Sequence, residues 1–109
     1  MKIMITQRRL KELFSYDEKS GDLTWRPQPR GHFGSESAFA SFNSRCLNRV
    51  AGCSNPLGYR VVRVGRVGYL VHRLIWCYHF GDDALPDGMQ IDHIDHDRGN
   101  NRIDNLRVA

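Results

Sequence analysis

Cysteine is scarce in this chain, and its spacing argues against a structural zinc site, which stabilises many small proteins. The 109 residues include three cysteines, Cys46, Cys53 and Cys77. Their number is odd, and no two of them have the C-x-x-C spacing of a zinc knuckle or ribbon. Structural zinc is therefore not expected, and we expect the three thiols to lie in the core of a protein from a reducing compartment.

Long hydrophobic runs are also missing. No stretch reaches the roughly 18 consecutive apolar residues that a membrane-spanning helix needs, and the apolar start Met1–Ile5 is too short for the hydrophobic part of a signal peptide. There is no internal repeat and no low-complexity tract. With 40% hydrophobic and 26% charged residues, the chain is expected to form a single small domain in the cytoplasm, with no membrane partner.

Charge is distributed unevenly along the chain. Residues 1–81 hold thirteen Lys and Arg against five Asp and Glu, a net charge of +8, whereas residues 82–109 hold three against seven, a net of −4. Cations that neutralise phosphates beside carboxylates that recruit a metal would suit a metal-dependent enzyme acting on a polyanion. A solvated surface with a chance asymmetry explains the charges equally well.

The first quarter of the chain predicts a short helix, a turn and a strand. Thr6 can cap a helix whose Leu10, Leu13 and Phe14 fall on one face. Residues 17–22 are typical of a turn, and 23–25 of a brief strand. From Arg26 to Leu57 periodicity is lost in favour of Pro, Gly, Ser, Asn and Arg, which predicts a long loop or a linker that orders on a partner.

A β-hairpin and a helix are predicted next. Residues 59–64 and 67–70 are rich in β-branched residues and flank Gly65-Arg66, which predicts a hairpin bearing Arg60, Arg63 and Arg66. Residues 71–80 end at Gly81, a natural residue beyond a helix C-terminus, and predict a mostly buried helix. A polar turn from Asp82 to Gly88 and a strand from Met89 to Asp92 should follow.

The C-terminal segment mixes acids, imidazoles, amides and arginines between short apolar anchors. Hydrolysis of a phosphodiester needs an attacking water, a base, and positive charge at the phosphate and the leaving oxygen. At the end of a strand, Asp92 can act as a hard oxygen ligand for a metal and His93 as the base. The alternative is that His93 bonds within a turn that Asp92 caps.

The segment from Ile91 to Arg107 resembles the loop of HNH nucleases (the His-Me finger or ββα-metal group) of phages and mobile introns. The likeness rests on Asp92-His93, on Asn105 twelve residues after His93, and on Asn105-Leu106-Arg107. It extends to His72-Arg73-Leu74 and to the opening residues 10–25, and is thinnest between Arg26 and Leu57.

This resemblance implies an α+β fold with an N-terminal helix, a β-hairpin, a central helix and a C-terminal ββα-metal finger lacking its last helix. It divides the single domain, residues 1–109, into a basic DNA-binding part (1–81) and the finger loop (82–109). It implies a DNA endonuclease or nickase that uses one divalent cation, Mg²⁺ or Mn²⁺, in a phage-infected bacterial host.

The resemblance also implies roles for individual residues. Asp92 would bind the metal, His93 would be the general base, and Asn105 would pin the loop backbone. The arginines expected to contact DNA are Arg60, Arg63, Arg66, Arg98 and Arg102. For Arg98, Arg102 and Arg107, ion pairing with the nearby aspartates is an open alternative.

Three more interpretations concern supporting residues. Ile91, Ile94, Ile103 and Leu106 are expected to anchor the loop in the core. Asn100 and Asn101 are interpreted as turn-forming asparagines. His72 is expected to be a helix-start histidine bonded to the loop, with help at the active site as the alternative.

The chain departs from the family pattern at two places. Family members often carry glycine or Asn-Gly where this chain has Asp95-His96, so His96 is either an extra metal contact or a surface substitution. The helix that carries the third signature residue of the family is expected beyond Ala109. Three alternatives stay open: a trimmed chain, a partner chain or dimer that completes the finger, or a catalytically incomplete module that binds DNA or protein.

Overall fold

The computed structural model describes residues 5–82 and 88–109, which form an α+β arrangement of small antiparallel sheets and helices. The α-helices are α1 (Gln7–Leu13), α2 (Glu36–Arg45) and α3 (Val71–Phe80), and short 3-10 helices span Arg30–His32 and Ile103–Asn105. The strands are β1 (Phe14–Asp17), β2 (Asp22–Trp25), β3 (Cys53–Ser54), β4 (Arg60–Val64), β5 (Val67–Leu70), β6 (Ile91–His93) and β7 (Leu106–Val108). They pair as β1-β2, β3-β4-β5 and β6-β7, and the expected fold class is confirmed.

The first helix forms where the sequence predicts it. The Thr6 side chain accepts a hydrogen bond from the Arg9 backbone N–H at 3.1 Å, and Leu10 and Leu13 are buried. Phe14 is buried as predicted, but it begins β1 instead of continuing the helix. The β1 strand was not predicted, because the helical spacing of Phe14 concealed the strand that starts there.

The expected long loop from Arg26 to Leu57 is wrong in part, because it contains α2, a 3-10 helix and β3. Ser35 caps α2 by accepting from the Ala38 N–H at 3.1 Å. None of the α2 residues is fully buried, so the helix lacks the apolar periodicity that would reveal it. Its aromatic residue Phe42 packs instead on Phe33 and Trp25, with ring centroids 5.3 and 5.7 Å apart.

The hairpin and the central helix are both confirmed. Strands β4 and β5 pair antiparallel around Gly65, which has a φ of 64°. The α3 helix follows β5 without a gap and ends at Gly81, where φ is 105°. This continuity places the first turn of α3 beside the hairpin.

The last two strands form the hairpin that carries the candidate site. The predicted strand Met89–Asp92 is displaced toward the C-terminus, since β6 spans Ile91–His93. Gln90 and Ala109 extend the β6-β7 ladder by exchanging backbone hydrogen bonds of 3.4 and 2.8 Å. The predicted polar turn from Asp82 to Gly88 includes residues 83–87, which lie outside the described residues.

Apolar side chains from α1, α3 and strands of all three sheets meet in the core. The buried apolar residues are Ile5, Leu10, Leu13, Phe14, Leu23, Ala51, Val62, Val71, Leu74, Ile75, Cys77, Ile91 and Leu106. Of the three cysteines, all with free thiols, only Cys77 is a core thiol, and Cys53 is exposed because it lies on the two-residue strand β3. No helix in the described part of the chain is long and apolar enough to cross a membrane.

Candidate active site

The β6-β7 hairpin positions the two residues at the centre of the candidate site. Its register pairs Asp92 with Arg107 and His93 with Leu106. Neighbouring side chains in a strand point to opposite faces, and accordingly His93 is buried while Asp92 is half-exposed. The site thus combines a shielded imidazole with a carboxylate that solvent can reach.

The imidazole of His93 is enclosed by polar and aromatic neighbours. Its Nε2 lies 2.8 Å from the side-chain oxygen of Asn101, a residue that is only 1% exposed. The ring of His72 meets it edge-on with centroids 4.9 Å apart, and the ring of Tyr59 lies 6.2 Å away. These contacts come from three parts of the chain and leave the imidazole little freedom to rotate.

The carboxylate of Asp92 forms an ion pair with Arg107. The Nη2 and Nε atoms of Arg107 lie 3.0 and 3.2 Å from Asp92 Oδ2. Both contacts fall on the same oxygen, and the two side chains are 38% and 58% exposed. Exposed ion pairs contribute about 0 to 1 kcal/mol, so a metal ion can compete with Arg107 for Asp92.

Asn105 holds the loop that joins the two strands. Its side-chain oxygen accepts from the Asp95 N–H at 3.1 Å, and its side-chain nitrogen donates to the Asn100 carbonyl at 2.9 Å. Its backbone carbonyl accepts from the Ile94 N–H at 2.8 Å. Asn105 therefore bonds to the chain immediately after His93.

Asp95 organises the tip of the same loop. Its carboxylate accepts hydrogen bonds from the Asn100 and Asn105 side chains and from the Asp97 N–H at 2.8 to 2.9 Å. The bonds from Asn100, Asp97 and Asn105, in that order, hold the pKa of Asp95 below its usual value. Asp95 is thus a structural carboxylate.

Tyr16, on β1, supports the loop from the opposite side. Its hydroxyl donates to the Asn101 carbonyl at 3.0 Å and accepts from the Ile103 N–H at 2.8 Å. Gly21 makes this approach possible, because a Cβ there would clash with the backbone of Asn101 and Arg102. Burial is the main reason why the pKa of Tyr16 is raised.

A cavity of about 230 Å³ opens beside His93. It brings together four of the residues that the sequence predicts for the site, Asp92, His93, His96 and Arg98. The other lining residues are Tyr59, Gln90, Ile91 and Ala109. Asn105 is not a lining residue, in keeping with its bonds to the loop backbone.

Arg98 lies at the wall of this cavity in a fixed position. Its guanidinium is 4.7 Å from the centre of the Tyr59 ring, and its Nη1 donates to the Leu57 carbonyl at 2.8 Å. A guanidinium has five N–H donors, so most of them remain for a ligand in the cavity.

The other predicted DNA-binding arginines do not line this cavity. Arg60 donates to the carbonyls of Ala51 and Gly52 at 3.2 and 2.7 Å, so it supports β3 and β4. Arg63 and Arg66 are exposed on the β4-β5 hairpin. Arg102 pairs with Asp104 at 3.1 Å on the outside of the loop.

His72 is a buried neighbour of the site. It lies in the first turn of α3 and is 4% exposed. Burial, with smaller contributions from His93 and Arg73, lowers the pKa of His72 to about 4. Within the described residues, the Nδ1 atom of His72 has no hydrogen-bond partner. This atom therefore does not make the expected bond to the loop, and the ring of His72 contacts the ring of His93 instead.

The described residues offer only part of a metal-binding set. Among them, no three His, Cys, Asp or Glu side chains cluster in a way that could hold a metal ion. Mg²⁺, however, is often held by one or two carboxylates together with waters and substrate phosphates. Asp92, with His96 on the same cavity wall, fits such a partial set.

Two outcomes differ from expectation in the loop. Ile94 was expected to be a core anchor but is 46% exposed, because it follows the buried His93 and faces the other side of the hairpin. Asn101 was interpreted as a turn residue but is buried against His93. No local signal distinguishes Asn101 from Asn100, since its partner lies eight residues away.

Comparisons with known proteins match the part of the chain that carries these residues. Residues 69–109 match the family described as HNH endonuclease. The chain is 40% identical over 53 residues to a Bacillus subtilis (strain 168) protein that is named as an SPbeta prophage-derived HNH homing endonuclease, YosQ. That alignment covers 49% of this chain but only 30% of the relative. No solved structure matches the chain significantly.

Proposed function

We propose that the cavity beside His93 hydrolyses a DNA phosphodiester with the help of one divalent cation, a function supported by the match of residues 69–109 to the HNH endonuclease family. The observation that carries this proposal is the meeting of Asp92, His93 and Arg98 at one cavity wall. A carboxylate, an imidazole and a guanidinium are the groups that recruit a metal, accept a proton and bind a phosphate.

His93 is the general base of the proposed reaction. It accepts a proton from the attacking water as the new oxygen–phosphorus bond forms, and the bond from phosphorus to the 3′ oxygen breaks. Burial and its contacts with Asn101 and His72 keep the ring in one orientation. A held base is effective because the proton transfer then needs no rotation of the ring.

Asp92 is the proposed carboxylate ligand for Mg²⁺ or Mn²⁺. Both bonds from Arg107 are made to its Oδ2 atom, so Arg107 leaves Oδ1 for coordination. When bound, the cation supplies positive charge to the phosphate and the leaving oxygen. His96 lines the same cavity and is the second candidate contact.

Arginines supply the proposed contacts to the DNA backbone. Arg98 places its remaining donors beside the scissile phosphate, and the Tyr59 ring and Leu57 carbonyl hold it there. Arg63 and Arg66 extend the cationic surface to the β4-β5 hairpin. Such contacts provide affinity without reading the base sequence.

A specific observation supports a second candidate function, a DNA-binding or protein-interaction module that does not cleave. Asp92 is paired with Arg107, and the described residues contain no three-residue metal cluster. In this case the basic surface binds its partner and the cavity catalyses no reaction.

Metal-dependent nicking of supercoiled plasmid by the 109-residue protein distinguishes the two candidates. We expect nicking that requires Mg²⁺ or Mn²⁺, and we expect Asp92→Asn to raise the metal concentration needed. Asp104→Asn is the matched control, because Asp104 is an exposed carboxylate paired with Arg102 outside the cavity. Duplex binding without nicking would favour the second candidate.

A further inference from the structure

Asn101 makes a contact that turn formation does not explain. Its side-chain oxygen lies 2.8 Å from His93 Nε2, and both residues are almost completely buried, at 1% and 4% exposure. An amide oxygen only accepts hydrogen bonds, so this contact requires the proton of a neutral His93 to reside on Nε2. The other ring nitrogen, Nδ1, then carries the lone pair.

The Asn101 contact occupies one nitrogen of an imidazole that also lines the cavity. His93 is one of the residues that line the cavity, whereas Asn101 is not. Because Nε2 is bonded to the loop residue Asn101, Nδ1 is the nitrogen left for a group bound in the cavity. The orientation and the tautomer both direct the basic nitrogen toward the place where a substrate would bind.

The side-chain nitrogen of Asn101 lowers the stability of the folded protein. Within the described residues, its side-chain nitrogen is buried without a hydrogen-bond partner. Leaving a buried polar group unpaired costs about 1 to 3 kcal/mol. An apolar side chain would avoid this cost but would leave His93 Nε2 without its partner, so the contribution of the amide is its oxygen's bond to His93.

We propose that Asn101 is a positioning residue that holds His93 in the Nε2–H tautomer and so makes Nδ1 the general base. The proposal rests on the proposed nuclease function for its effect on rate, but the tautomer itself is a property of the folded chain. The backbone of Asn101 is fixed independently by Tyr16, so side-chain changes at Asn101 leave the loop tied to β1.

Long-range ¹H–¹⁵N NMR correlations of the imidazole rings test the tautomer without any reaction. His79 is an internal reference in the same spectrum, because its Nδ1 lies 2.9 Å from the Ile75 carbonyl and must carry the proton there. In the neutral imidazoles we expect the Nε2–H form for His93 and the Nδ1–H form for His79. A His93 ring in the Nδ1–H form would overturn the proposal, whether or not the protein cleaves DNA.

Two variants of Asn101 separate positioning from packing. Asn101→Leu removes the acceptor, and we expect a mixture of His93 tautomers and a single-turnover cleavage rate lowered about 10- to 100-fold, the usual effect of losing a group that orients a site. Asn101→Asp keeps an acceptor, and we expect it to keep the Nε2–H form. DNA affinity should be unchanged in Asn101→Leu, which alters no charge.

The outcomes distinguish this proposal from the proposed function. If Asn101→Leu keeps the parental tautomer and the parental rate, Asn101 does not position His93. If the tautomer shifts as expected but the parent does not cleave DNA, the positioning role stands and the nuclease function fails. If Asn101→Leu does not fold, the parent and Asn101→Asp still test the proposal, because the Nδ1–H form of His93 in them would overturn it.

Discussion

The hydroxyl of Tyr16 donates a 3.0 Å hydrogen bond to the backbone carbonyl of Asn101, a residue 85 positions later in the chain. The same hydroxyl accepts from the Ile103 N–H, so one side chain of β1 satisfies two backbone groups of the loop. The N-terminal sheet therefore takes part in shaping the site, although none of its residues lines the cavity.

Tyr16→Phe should destabilise the protein and impair the site together. Both backbone groups would lose their partner, at a cost of about 1 to 3 kcal/mol, and the free energy of unfolding in urea measures it. Tyr69→Phe, which removes a hydroxyl from a half-buried tyrosine on β5, is the matched control and should have a smaller effect. Equal effects of the two changes would contradict the bracing role of Tyr16.

The stability of the fold should fall in mild acid because of His72. Burial lowers the pKa of His72 from 6.5 in the unfolded chain to about 4 in the folded protein. Between these pH values, His72 is protonated in the unfolded chain but not in the folded protein. The free energy of unfolding therefore decreases as the pH falls from 6.5 toward 4, and it changes no further below pH 4. The whole pKa shift corresponds to a loss of about 3 kcal/mol in the free energy of unfolding.

Urea unfolding at several pH values measures this loss. His72→Gln should show a shallower dependence of unfolding free energy on pH between 6.5 and 4, whereas His32→Gln, at an exposed histidine, should follow the parent. The hydrogen-bonded carboxylates Asp17 and Asp95 have lowered pKa values, so the stability that they contribute is lost only at lower pH. A parental slope in His72→Gln would contradict the assignment to His72.

DNA binding should weaken with salt through the exposed hairpin arginines. Changing Arg63 and Arg66 together to Ala should lower the slope of log affinity against log salt by roughly one unit for each phosphate that is no longer neutralised, and should leave the stability unchanged. Arg8→Ala is the control, because its side chain is 92% exposed on α1. Arg60→Ala should instead destabilise the fold, because its guanidinium bonds to two backbone carbonyls. An unchanged salt slope would remove the hairpin from the interface.

Local patterns predicted those elements whose causes are local. The Thr6 cap, the Gly65 turn and the Gly81 helix end each depend on a few neighbouring residues, and each is confirmed. The α2 helix was missed because its stabilising contacts are aromatic and come from Phe33 and Trp25, outside the helix.

The site was predictable in its residue types but not in its connections. The pairing of Asp92 with Arg107 depends on the register of β6 and β7, and spacing along the chain does not define that register. The contact of His93 with His72 joins residues from α3 and β6, and the role of Tyr16 joins opposite ends of the chain. These contacts arise from tertiary packing, and one sequence carries no local sign of them.

His96 has a backbone conformation that favours glycine, which makes its role testable. Its φ is 64°, in the left-handed region that costs a side-chain-bearing residue roughly 1 to 2 kcal/mol. His96→Gly should leave the free energy of unfolding unchanged or raise it. If His96 is a surface substitution, the metal dependence of nicking should also be unchanged, whereas a raised metal requirement in His96→Gly would identify His96 as a ligand.

The rate of DNA cleavage under single-turnover conditions, measured for His93→Ala beside the parent and His32→Ala, is the decisive experiment. A general base contributes about 10² to 10⁴-fold in rate, so His93→Ala should be slower by that factor while its duplex affinity and the rate of His32→Ala stay at the parental level. Cleavage by His93→Ala at the parental rate would contradict the assignment of His93 as the base and, with it, of the cavity as the active site.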